Sequence, residues 1–232
     1  MIPYANFLKI PKKPNALKSG ERIKVVALAN PNFNLPHSQE EVQSIKELSI
    51  YDLSKPLYGQ NATLNQLQGQ LQQLQQDQPN ILHLSTHNTI GSHISLETYL
   101  TLAGTPMLKI DDVDQLTNIN AIDLVVLSAC QTDIGDITKG DAVFNLTHTF
   151  SRSGVPSAIT TLWNIDDKAS SDLMKSFYEN LAKGMSKAEA LQKAQITVLN
   201  TKGYSHPYYW AAFMLTGDST PIIEKPKPSK TE

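Results

Sequence analysis

Four stretches rich in Ile, Val, Leu, Ala and Thr, without regular alternation of apolar and charged residues, predict strands over 23–29, 81–86, 123–129 and 157–162. A strand with one face in water alternates apolar with polar residues, whereas one covered on both faces does not. Helical patterns separate the runs. Leu64, Leu67, Leu71 and Leu74 form an amphipathic stripe with a glutamine-rich outer face, and Thr63 is placed to cap it. Ser38, with Glu41 three residues on, reads as a capping box opening a helix that reaches about Leu48. Ala142 to Phe150 is helical and stops near Gly154. Helices are also expected over 168–182 and 186–200, the second opening on a Ser186/Glu189 capping box. Residues 92–110 have β character around a Gly104-Thr105-Pro106 turn, which predicts a hairpin, and Asp111 to Leu116 reads as one helical turn. A last strand is expected over Tyr209 to Leu215.

Strands alternating with helices give an α/β fold class: a mostly parallel central sheet with helices on both faces, a three-layer sandwich. One domain is expected over 21–220. Residues 1–20, with three prolines and several lysines, read as an arm or linker remnant; residues 221–232, with three more prolines, read as a disordered tail.

Composition narrows the function. A formal net charge of −2 argues against a general nucleic-acid binder. No apolar run approaches the roughly 20 residues a membrane-spanning helix needs. Basic residues follow the first apolar stretch instead of preceding it, which argues against a secretory signal. The single cysteine excludes an internal disulfide framework and a Cys-rich zinc site, and fits a reducing cytoplasm. The glycines form no spaced phosphate-binding loop.

That cysteine, Cys130, ends the run Leu124-Val-Val-Leu-Ser-Ala-Cys, and His87 ends the run Ile81-Leu-His-Leu-Ser-Thr-His. Open α/β sheets gather reactive side chains at the carboxyl ends of their strands. A free thiol is only a few per cent ionised at pH 7, and an adjacent imidazole raises that fraction and later protonates a leaving amine. Cys130 and His87 are therefore a candidate nucleophile and base. The alternative is that Cys130 is a small buried hydrophobe.

Four blocks carry a resemblance to a known family: Ile81–His87, Leu124–Thr132, Thr161-Leu-Trp-Asn-Ile-Asp-Asp167, and His206-Pro-Tyr-Tyr-Trp-Ala-Ala-Phe-Met-Leu-Thr-Gly-Asp218. In this order they resemble the CHAT domain, a caspase-like cysteine peptidase domain of the caspase–hemoglobinase fold, often attached to tetratricopeptide repeats in bacteria. The resemblance implies a His87/Cys130 dyad and an oxyanion hole made by the backbone N–H groups of Cys130 and Asn88. The family usually has Gly or Ala at position 88. Trp163 to Lys168 is similar to a separase segment, which places Asp167 where an acid binds a P1 arginine; Asp133 is a second candidate for that pocket. No cofactor or metal is implied. The implied partners are a protein or peptide substrate and a tetratricopeptide or other sensor segment, upstream or in trans. A role in bacterial defence or regulated cell death would follow.

Two other readings remain open: a catalytically silent caspase-like scaffold, and a small-molecule-binding α/β domain. Among the remaining candidates, His83 is expected to pack in the core and His206 to be structural. His93 and His148 lack metal-ligand spacing. Asp166 and Asp167 also suit a helix N-terminus. Tyr208, Tyr209, Trp210 and Phe213 are expected to form an aromatic plug on the last strand.

Overall fold

The computed structural model describes residues 17, 21–53, 55–90, 98–104, 108–128 and 147–223. In chain order its strands begin with β1 (Ile23–Ala29), β2 (Tyr51–Asp52), β3 (Leu57–Tyr58), β4 (Asn80–Ser85) and β5 (Asn88–Ile90). They continue with β6 (Thr98–Leu100), β7 (Leu108–Lys109), β8 (Leu124–Leu127), β9 (Ser157–Thr161) and β10 (Phe213–Gly217). The apolar runs make one sheet in the order β10-β9-β8-β4-β1-β2, with β3 also paired to β1. Every pair in it is parallel except β9 with β10. The short β5, β6 and β7 form a separate antiparallel sheet. The hairpin expected over 92–110 corresponds to β6 and β7, and the strand that completes the small sheet begins at Asn88, directly after His87.

The interior strands are buried on both faces, as the lack of apolar–polar alternation in β1 and β8 predicts. Val26 and Leu28 of β1, Leu82 and Leu84 of β4, and Val125 and Leu127 of β8 pack on one side with Leu67 and Leu71 of α2 (Leu64–Leu71). Phe150 joins them from α3, helical over its described residues 147–152. The opposite faces, including Val25, Ile81, Val126 and Ile159, pack against α1 (Pro36–Lys46), α4 (Asp167–Ala182) and α5 (Lys187–Leu199). Thr63 caps α2 by accepting the Gln66 N–H, and the Ser186/Glu189 capping box opens α5, both as expected.

Three expectations need correction. Ser38 does not cap α1: the helix opens with Pro36 in its first turn and no side-chain cap. Proline at that point lacks only an N–H that the helix would leave unpaired. Ser38 lies inside the helix and donates back to the Leu35 carbonyl at 2.6 Å, and Glu41 is buried at 1% exposure. The final strand starts later than its aromatic content suggests. Pro207 opens a 3₁₀ turn, Pro207–Tyr209, capped by His206 Nδ1, which accepts the Tyr208 N–H. The expected aromatic plug is therefore divided: Phe213 is buried in β10, while Tyr208 lies 43% exposed on the turn. Ile222 and Ile223, expected in a tail, pack into the core at 6% and 7% exposure. Two-residue β2 and β3 carry too little pattern to be seen in sequence.

Candidate active site

The carboxyl ends of β1, β4, β8 and β9 lie along one edge of the sheet, joined at the N-terminal ends of α1 and α4. At this edge β4 runs out into His87, whose two ring nitrogens are shielded from solvent. The small sheet holds the backbone there. The Thr101 N–H donates to the His87 carbonyl at 2.9 Å, and the Thr86 hydroxyl donates to the Thr101 carbonyl at 2.7 Å. His87 thus sits at the junction of two sheets, which fixes its main chain.

The same bond orients Asn88. Asn88 stands opposite Leu100 in the antiparallel β5–β6 ladder. Because the Thr101 N–H bonds the carbonyl before Asn88, Asn88 and Leu100 form a non-hydrogen-bonded pair. The Asn88 N–H therefore points away from β6, toward the outer side of β5, which is the edge strand. Extended backbone achieves this without a positive φ, so the backbone conformation does not call for glycine at the position.

Beside β4, strand β8 ends at Leu127, and the Ser128 N–H donates to the Leu84 carbonyl at 3.1 Å. Cys130 and Asp133 lie outside the described residues, as does His93. The first turn of α4 closes over this strand end: the Ser170 hydroxyl donates to the Ser128 carbonyl at 2.8 Å.

Asp166 and Asp167 divide the work expected of them. Asp166 is the N-cap of α4 and accepts the Ala169 N–H. Asp167, half-buried in the first turn, accepts the backbone N–H of His37 at 2.8 Å, so the amino ends of α1 and α4 share its carboxylate. Burial pushes its carboxyl above the usual range; the His37 N–H opposes that shift, while Glu41 and Asp166 add to it. Trp163 anchors the approach to α4, its indole N–H donating to the Tyr208 carbonyl at 3.0 Å.

His83 is in the core, as expected, at 0% exposure. Sequence reasoning missed its partner. Glu41 Oε1 lies 2.8 Å from His83 Nε2, a close polar contact whose angles fall short of a hydrogen bond. Glu41 Oε2 accepts the Ser85 hydroxyl at 3.3 Å, and His83 Nδ1 lies 3.0 Å from the Tyr178 hydroxyl. Burial holds the Tyr178 hydroxyl well above its ordinary pKa. One signal was available: Glu41 falls on the same helical stripe as Ser38, Val42 and Ile45, the buried face of α1.

Comparison with known proteins agrees with this fold. The family model of the CHAT domain matches residues 4–218. Two curated relatives are tetratricopeptide repeat protein 28 of Homo sapiens, 34% identical over 101 residues, and its Mus musculus namesake, 32% identical over 102. Each match takes in 44% of this chain but only 4% of the relative. The Arg-specific cysteine proteinase gingipain R superposes with a TM-score of 0.55 at 13% identity, covering 87% of this chain and 47% of the other. The complex of Porphyromonas gingivalis RgpB pro- and mature domains also gives 0.55, at 12% identity, covering 94% of this chain and 52% of that one. Separase in the Saccharomyces cerevisiae separase–securin complex gives 0.50 at 13% identity, covering 89% of this chain and 12% of that one. At such identities the likeness is one of fold, the caspase–hemoglobinase α/β sandwich.

Proposed function

The chain belongs to the CHAT domain family, and on that premise we propose that it is a cysteine endopeptidase using Cys130 as nucleophile and His87 as base. The observation that carries this reading is strand register. β4 and β8 pair in parallel with Ile81 opposite Leu124 and Leu84 opposite Leu127. The same offset, counted on past the strand ends, matches sequence position 87 with 130. In sequence, a histidine and the only cysteine thus follow two adjacent parallel strands at matching offsets.

In this mechanism His87 takes the Cys130 thiol proton, and the thiolate forms a C–S bond to the scissile carbonyl carbon. The carbonyl π electrons move to oxygen, and the Asn88 N–H, directed away from β6, donates to that oxyanion together with the Cys130 N–H. Collapse breaks the C–N bond as His87 returns its proton to the leaving amine. Water, deprotonated by His87, then hydrolyses the thioester. Since Asn88 acts through its backbone, Asn88→Ala is expected to leave kcat/KM within about threefold of wild type. A loss near the 10²–10³-fold typical of a missing oxyanion donor would show that its side chain takes part.

Asp167 is proposed to select a basic P1 residue. Its turn of α4 is bonded to Ser128, two residues before Cys130 in sequence, and among the described residues no Lys or Arg forms an ion pair with it. A carboxylate held partly away from water offers an incoming guanidinium charge-assisted, bidentate bonding. Asp133 is a second candidate wall. The proposal extends to a cytoplasmic chain whose activity is gated by a repeat or other sensor segment, in defence or regulated cell death. The names of the curated relatives, which are repeat proteins, favour one second reading, a silent caspase-like scaffold.

Cleavage of a peptide library varied at P1 tests the proposal. Asp167→Asn is expected to reduce cleavage after Arg about 100-fold while leaving thermal stability unchanged or slightly raised. The sign follows from the raised carboxyl. A folded-state value above the unfolded one gives stability that is full below the unfolded pKa and lost as pH rises through the folded one. Neutral Asn removes that loss and can still accept the His37 N–H. Equal cleavage after Arg by both proteins would end the S1 role, and absence of cleavage by wild type with candidate activators present would favour the scaffold.

A further inference from the structure

We propose that the buried Glu41–His83 pair is a positioning couple, which sets the spacing between Asp167 and His87; the inference rests on the function proposed above. Both side chains are withdrawn from water, at 1% and 0% exposure. A buried ion pair is weak evidence for stability, because apolar groups of similar volume often serve a core as well or better. Its place in the fold offers a reason for it.

Helix α1 touches both halves of the proposed site. In its first turn the His37 N–H holds Asp167. Four residues later, on the same face, Glu41 holds β4. One carboxylate oxygen meets His83 and the other accepts from Ser85, consecutive inward-facing residues of the strand that ends in His87. A single helical turn therefore runs between the acid that would receive P1 and the strand that carries the base. His83 is in turn backed by the Tyr178 hydroxyl from the middle of α4, and the Tyr51 hydroxyl from β2 donates to the Tyr178 carbonyl at 2.9 Å. The contact thus ties α1, α4, β2 and β4 together beneath the site edge, and the hydrogen bonds to Ser85 and Tyr178 give the grip a direction where apolar packing would let the helix slide.

Neither residue touches substrate in this scheme, so the effect should appear in specificity. Electrophilic probes carrying P1 arginine or its neutral isostere citrulline would be compared for their rates of labelling Cys130. In wild type the arginyl probe reacts faster. Glu41→Gln keeps the shape and a hydrogen-bonding group but removes the charge, and the arginine-to-citrulline ratio is expected to fall about tenfold. A double variant, Glu41→Leu with His83→Leu, removes both polar side chains, and should recover thermal stability without recovering the ratio. A ratio unchanged in Glu41→Gln, or one restored in the double variant along with stability, would overturn the inference while leaving the proposed peptidase intact. Equal rates with the two probes in wild type would instead remove the S1 reading and this inference with it.

Discussion

Cys130→Ala is expected to reduce peptide cleavage by at least about 10⁴-fold, the scale of losses when a covalent nucleophile is removed. His87→Ala should cost about 10²–10⁴-fold, the usual contribution of a positioned acid/base group. The pair of substitutions together should cost little more than Cys130→Ala alone, because residues that act as a unit are not additive. Single-turnover cleavage of one peptide by the four proteins checks this. The thermal midpoints of the variants should stay close to wild type, since His87 is fixed through its main chain at Thr101. Independent, multiplicative losses would mean that the two residues do not work in one step.

The largest effect on stability is expected at Asp218. Lys187 Nζ donates to Asp218 Oδ2 at 2.9 Å, with the two side chains only 2% and 8% exposed. Lys187 opens α5, where the helix dipole disfavours a cation. Asp218 compensates it, and also accepts from the Thr220 N–H and hydroxyl at 3.0 and 2.9 Å. Removing the acid strands a buried cation at the wrong end of a helix, so Asp218→Asn is expected to cost about 3–5 kcal/mol. Removing the cation leaves a carboxylate that keeps its Thr220 bonds beside a helix N-terminus, so Lys187→Met should cost less than half as much. Urea unfolding of both variants measures the asymmetry.

The pH dependence carries a sign. Burial alone would raise the Asp218 carboxyl, but the Thr220 N–H and Lys187 bring it below its ordinary value. Its contribution is therefore present above the unfolded-state pKa, near 3.9, and lost as pH falls through the folded-state value. The wild-type and Asp218→Asn stabilities should converge in acid and diverge toward neutrality. Equal costs for the two single variants, or a gap independent of pH, would contradict this account of the pair.

Legibility in the sequence followed how much of each feature is local. β1 is predicted to the residue, and β4 and β9 within one or two positions, because burial on both faces leaves β-prone runs in which apolar residues do not alternate with charged ones. Capping chemistry placed α5 because Ser186 and Glu189 satisfy each other within one turn. The same Ser-x-x-Glu spacing misled at Ser38, where Pro36 had already opened the helix and Glu41 was needed in the core by His83, 42 positions away in sequence. No local rule can report such a partner. Aromatic residues around Tyr209 suggested strand by propensity, but Pro207 and the His206 cap decided the local backbone in favour of a turn. His87 and Asp167 were visible as residue types at strand and helix ends. The direction of the Asn88 amide was not, because it depends on a ladder partner in β6.

Active-site labelling of the native chain tests the central claim most directly, since there is one thiol to modify. An arginyl acyloxymethyl ketone is incubated with wild type and with His87→Ala, and adducts are read by intact mass and peptide mapping. The account predicts a single adduct on Cys130 in wild type and at least tenfold slower labelling without His87. A wild-type thiol that reacts with iodoacetamide but not with the arginyl probe, or that labels equally fast without His87, would contradict it.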